Sequence, residues 1–230
     1  MRKFLIAASV LTVSCLFSCG PSKADQERIE KERQDSIAKV EKEKELTLQK
    51  LEQERQDSIA RAEKRKQQWA TDSVEISKLL PEFSITKDEE LENGRIYVAK
   101  GMSTSHFRDG AYISFTTLAE KVGKLFINAS VTSDNAYLLD YITLIIGDNT
   151  FDIYPDGEVG LSTDRFPIVA EWFKGDLNSN LSEKILEAQS LKIKVVGSDG
   201  NKLLNITSGD LEKMKKTIML YNLFNRSKVI

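Results

Sequence analysis

Residues 141–154 read Tyr-Ile-Thr-Leu-Ile-Ile-Gly-Asp-Asn-Thr-Phe-Asp-Ile-Tyr, two β-branched and aromatic runs parted by Gly147-Asp148-Asn149. Such side chains fit a pleated surface, and a short Gly/Asp/Asn break between two of these runs signals a hairpin. The same rhythm continues on both sides. It predicts strands over 95–100, 111–117, 123–132, 137–146, 150–154, 168–174, 190–197 and 201–207. Turns fall at Pro155-Asp156-Gly157 and Ser198-Asp199-Gly200-Asn201. Helical spacing appears twice. Asn180 to Gln189 places Leu181, Ile185 and Leu186 on one face. Asp210 to Phe224, with Ser208 as the expected N-cap, carries Leu211, Met214, Ile218, Tyr221 and Leu223 on an apolar side suited to closing a core. The expected domain, residues 82–230, is mostly antiparallel, β-sandwich-like and bears two helices.

Upstream the composition changes. Residues 24–73 contain no Gly or Pro and are dominated by Glu, Lys, Arg and Gln, all good helix formers. Opposite charges recur at helix-neighbour spacing, as in Glu27 with Lys31, Asp35 with Lys39, Lys50 with Glu54 and Asp57 with Arg61. At a rise of 1.5 Å per residue, a continuous helix here would reach about 70 to 75 Å. The segment repeats internally: Glu32-Arg33-Gln34-Asp35-Ser36-Ile37-Ala38 recurs as Glu54-Arg55-Gln56-Asp57-Ser58-Ile59-Ala60. Ile37 and Val40, Leu48 and Leu51, and Ile59 and Ala62 refine this to an 11-residue period, which belongs to a nearly straight or slightly right-handed supercoil. Arg33, Lys44, Arg55 and Lys66 lie close to that stripe. A solvated spacer helix, a homo-oligomeric coiled coil and a helix that docks in a partner's groove are all compatible readings. Residues 74–81, ending at Leu80-Pro81, are expected to be a linker. The fold class is therefore α+β, a long charged helix followed by the β-rich domain.

The first residues carry an address. Arg2 and Lys3 precede an apolar run from Phe4 to Phe17 that ends at Ser18-Cys19-Gly20, the layout of a secretory signal peptide over residues 1–18. That run falls short of the roughly 20 residues a membrane-spanning helix needs. Leu16-Phe17-Ser18-Cys19 resembles the lipobox of bacterial lipoproteins, which implies cleavage before Cys19, diacylglycerol on its sulfur and a lipidated N-terminus over residues 19–23. Thr12-Val13-Ser14-Cys15 is a competing match that lacks the leucine. Cys15 and Cys19 are the only cysteines, so the mature chain is expected to have no disulfide and to stabilise itself by core burial. Repeats built on Arg-Gln-Asp-Ser-Ile are similar to the charged stalks of Bacteroidota lipoproteins. That lineage attaches O-glycans at Asp-Ser/Thr-aliphatic triplets, which implies glycan on Ser36, Ser58 and Ser73. The order of elements after residue 82 resembles a small β-sandwich domain of secreted bacterial proteins with no assigned activity. The absence of an Asp after Cys19 favours the outer membrane, with the domain facing the periplasm or, alternatively, displayed at the surface.

Chemistry is harder to find. Net charge is −2, with both signs evenly mixed, so neither nucleic acid nor an anionic membrane surface is indicated. His106 is the only histidine; a triad would have to use it with Ser103, Ser105 or Asp109, and a multi-histidine metal site is impossible. Asp148, Asp152, Asp156 and Glu158 partly match a calcium loop, but Tyr154 and Thr163 stand where ligands are required. No cofactor, metal site or catalytic residue is expected. Trp172, in Val-Ala-Glu-Trp-Phe-Lys, either packs in the core or faces outward to stack on a sugar or anchor a partner. The expectation is a non-enzymatic interaction or structural module of the cell envelope, with a carbohydrate- or small-ligand-binding module as the alternative.

Overall fold

The computed structural model describes residues 22–88, 92–118, 121–165 and 167–227. The expected signal peptide, Cys15 and Cys19 lie outside the described residues. The chain divides into two units, Met1–Ala62 and Glu63–Ile230.

Helix α1 runs from Lys23 to Leu79, 57 residues without a glycine or proline to break it. Ser22 caps it: its hydroxyl accepts from the Asp25 N–H at 3.4 Å and donates to the Asp25 carboxylate at 2.9 Å. Every residue from 22 to 71 is exposed, so backbone bonds and propensity hold this stretch. The ion pairs Arg28–Glu32 (3.8 Å) and Arg55–Glu52 (3.9 Å) are solvated and add only tenths of a kcal/mol. Where a linker is expected at 74–81, the helix continues. It stops where Pro81 disfavours the α conformation at Leu80, and a 3-10 turn, Leu80–Glu82, follows. Among the described residues no helix is long and apolar enough to cross a membrane.

Within Glu63–Ile230 the order is β1 (Phe83–Lys87), β2 (Gly94–Ala99), β3 (Gly110–Leu118), β4 (Lys121–Ser133), β5 (Leu139–Ile146), β6 (Asn149–Ile153), β7 (Gly160–Arg165), β8 (Ile168–Asp176), α2 (Ser179–Glu187), β9 (Lys192–Gly197), β10 (Gly200–Asn205) and α3 (Ser208–Ser227). All strand pairs are antiparallel. They form a six-stranded sheet, β1-β2-β3-β4-β8-β7, and a four-stranded sheet, β10-β9-β5-β6. The two share one core. Ile113, Phe115, Ile127 and Phe173 come from the larger sheet, Ile142, Leu144, Ile193 and Val195 from the smaller, and Met214 and Ile218 from α3. The fold is α+β and sandwich-like, as the patterning predicts.

The opening hairpin turns at Gly147-Asp148, with Ile146 opposite Asn149 and Gly147 at φ +58. Two strands escape the patterning, β1 and β7. Thr207, not Ser208, caps α3: its hydroxyl accepts from the Asp210 N–H at 3.1 Å and donates to that carboxylate at 2.8 Å.

The segment of α1 within this unit is tied to α3. Asp72, 1% exposed, accepts from Arg226 Nη2 at 3.1 Å and Gln68 Nε2 at 3.0 Å, both on Oδ1. Its Oδ2 is buried and has no hydrogen-bond partner among the described residues. Arg226→Ala is expected to cost about 2 kcal/mol in urea unfolding, because it strands a buried carboxylate, with Arg226→Lys recovering part of the loss. A change within a few tenths of a kcal/mol would show that Arg226 does not stabilise that charge.

Candidate functional site

Along β8 the side chains alternate. Glu171 and Phe173 point into the sandwich; Trp172 and Lys174 point to the opposite face of the six-stranded sheet. Glu171, only 2% exposed, accepts from the backbone N–H groups of Tyr137 (2.5 Å) and Leu139 (3.2 Å), which satisfies a carboxylate inside the core. That leaves Trp172 half-buried on the outer face, opposite Ser130 on β4 and Gly160 on β7.

The Trp172 indole is held from both neighbours. A Cβ at Gly160 would lie 1.8 to 2.2 Å from Cε2, Nε1 and Cζ2, so only glycine lets the ring settle on β7. The His106 imidazole stacks on the ring at 4.2 Å between centroids, 14° from parallel. His106 belongs to the loop from Lys100 to Asp109, which is fastened along its length. Lys213 Nζ donates to Gly101 O at 3.1 Å, and the Ser130 hydroxyl donates to Arg108 O at 2.6 Å. The Arg165 guanidinium sits 4.4 Å above the Phe107 ring. Asp109 accepts from the Thr132 N–H and hydroxyl and pairs with Lys202 of the other sheet at 2.5 Å.

On its other side the loop walls a cleft of about 370 Å3, lined by Met102, Ser103, Asp109, Leu203, Asn205 and Asp210 among others. Burial works to raise the Asp109 carboxyl, but hydrogen bonds from Lys202 and Thr132 and the lysine charge outweigh it and hold it below the ordinary value. The Thr207 hydroxyl, with Lys213, does the same for Asp210 against a smaller burial effect. Each acid therefore stays ionised beside a lysine. Neither is poised as a general acid near neutral pH.

The structure does not assemble the other candidates. Asp109 is committed to Thr132 and Lys202, Ser105 Oγ accepts from the Phe107 N–H at 3.3 Å, and among the described residues no hydrogen bond joins His106 to Ser103, Ser105 or Asp109. Asp152 accepts from Thr143, while Asp156 pairs with Lys124 at 3.1 Å. Among the described residues no three His, Cys, Asp or Glu side chains converge as a metal site. Ser36 and Ser58 are exposed on α1; Ser73 is half-buried beside Asp72. The His106–Trp172 stack and the Gly160 seat escape the sequence reading, since 160–165 lacks an apolar run and its register against β8 is irregular.

No family model, no curated protein and no solved structure matches this chain.

Burial lowers the His106 pKa below its ordinary 6.5. Folding therefore disfavours its protonation. Stability is expected to be flat above about pH 7, to fall as pH drops through about 6.5, and to level off below the folded value. Asp109 and Asp210, both lowered, contribute stability that is lost only in more acid solution. His106→Gln should remove the slope between pH 8 and 5 in thermal melts; an unchanged slope would place its origin elsewhere.

Proposed function

We propose that this chain is a cell-envelope lipoprotein of the Bacteroidota type. On this reading it is anchored through lipid on Cys19 and acts as a non-enzymatic interaction or structural component, with no cofactor. The observation that carries it is the unsatisfied apolar stripe of the stalk. Ile37, Leu48 and Ile59 are 50 to 67% exposed at a fixed period, with Ile29, Val40 and Leu51 exposed alongside, on a helix whose surface is otherwise mostly polar and charged. Large apolar side chains in such a row mark a surface that is covered by something. The outer membrane facing the periplasm is the favoured address, with surface display as the alternative.

Native cross-linking of the full-length protein, with mass spectrometry of what co-purifies, tests the reading. A protein cross-linked through residues 24–73 and lost on stalk deletion is expected. A chain that cross-links to nothing, itself included, would overturn it.

A second reading places a carbohydrate or other small ligand on the outer face, which Trp172 shares with Tyr112, Asn128 and Lys174. Its ring is already stacked by His106, so a sugar would have to displace that loop. A glycan screen of His106→Ala against wild type separates the two: the second reading requires tighter binding by the variant.

Lipid and glycan are tested together by intact mass of the native protein. Acyl chains on a chain beginning at Cys19 are expected, with hexose removed by Ser36→Ala plus Ser58→Ala. Ser73→Ala should change nothing beyond its own mass, because Asp72 of that triplet is buried. An unlipidated chain would refute the anchor, and glycan confined to Ser73 would refute the site assignment.

A further inference from the structure

We propose that the stalk pairs with a second copy of itself, parallel and in register, through Ile37, Leu48 and Ile59. The inference rests on reading the apolar stripe as an interaction surface, and it names the occupant.

Three rows repeat at 11 residues within Lys23–Ala62. The central row is Ile37, Leu48 and Ile59, exposed by 59, 67 and 50%. Four residues after each row position, counting from residue 26, stands a glutamate: Glu30, Glu41 and Glu52. Seven residues after stands a base: Arg33, Lys44 and Arg55. At about 3.67 residues per turn these rows lie roughly 33° to either side of the apolar one. One flank of the seam is thus wholly acidic and the other wholly basic. Ile29, Val40 and Leu51 extend the apolar surface beyond the basic row, and they too are half-exposed.

That polarity selects the partner and its direction. When two such helices pack in parallel, the acidic flank of each faces the basic flank of the other, as oppositely charged flanking rows set orientation in coiled coils generally. An antiparallel pair would set acid against acid and base against base. Glu52 and Arg55 already approach to 3.9 Å on one helix, with side chains 58 and 74% exposed, so both remain free to turn toward a neighbour. The long alkyl stems of the basic row can lie over apolar surface while their charges reach outward. A basic row beside the stripe therefore becomes one half of a charge-matched seam.

Sedimentation equilibrium of the full chain tests this with two variants. One carries Glu30→Lys, Glu41→Lys and Glu52→Lys; the other carries Arg33→Glu, Lys44→Glu and Arg55→Glu. Wild type should sediment at twice the chain mass at tens of micromolar and weaken in high salt. Each variant alone places like charges across the seam and should associate at least tenfold more weakly. Their equimolar mixture should recover the double mass, which also shows that neither has failed to fold. Circular dichroism should show the mixture regaining any helix that the separate variants lose. A monomeric wild type, or variants that self-associate as tightly as wild type, would overturn the pairing. If wild type is monomeric yet cross-links in cells to another protein through residues 24–73, the interaction reading survives and only the self-pairing falls. If neither occurs, both fall.

Discussion

The larger sheet has more inner face than the smaller can cover, and α3 makes up the difference. Tyr97 and Phe115 stack at 4.8 Å on adjacent strands, with Tyr221 and Phe224 of α3 packed against them at 5.5 to 5.9 Å. Without α3 these aromatic rings would face water, at a cost of a few kcal/mol each. The Thr207 cap fixes where that helix starts. Its far end carries Arg226 to Asp72, so the covering of the core and the tie to α1 belong to one element.

The loop from Lys100 to Asp109 depends on the same arrangement from the other side. Lys213 of α3 holds Gly101, and Lys202 of the smaller sheet holds Asp109 and Thr132 O of the larger. A loop held by three elements brings His106 onto Trp172 and walls the cleft. Its lysine–carboxylate pairs sit at the edge of burial, where each is modest alone but shares partners with the next.

Much of the fold is legible because its strands alternate apolar and polar residues with strong β-formers, as in 141–146 and 192–197. β1 is short, with one buried side chain, Phe83; β7 is polar and mostly exposed, paired only at the sheet edge. Local pattern has little to report where pairing alone makes the strand. The candidate site was less legible, for a different reason. In Glu171-Trp172-Phe173 hydropathy favours burying the tryptophan and exposing the acid, whereas two backbone N–H groups 32 and 34 residues upstream reverse the choice. Long-range hydrogen bonding is invisible to periodicity. The stalk lies at the other extreme: period, helix and charged rows follow from short-range geometry, and only its end differs, since the helix runs to Leu79 where its pattern suggests a linker.

Glu171 also governs an order of events. Leu138 stands at φ +52, a conformation that a branched L-residue adopts only under constraint, and its neighbours' N–H groups are the ones that Glu171 accepts. On a ribosome residue 138 emerges well before residue 171, so the bend into β5 has no carboxylate to hold it while it is being made. The bend that leads into the smaller sheet therefore gains its carboxylate only when β8 of the larger sheet lies beside it.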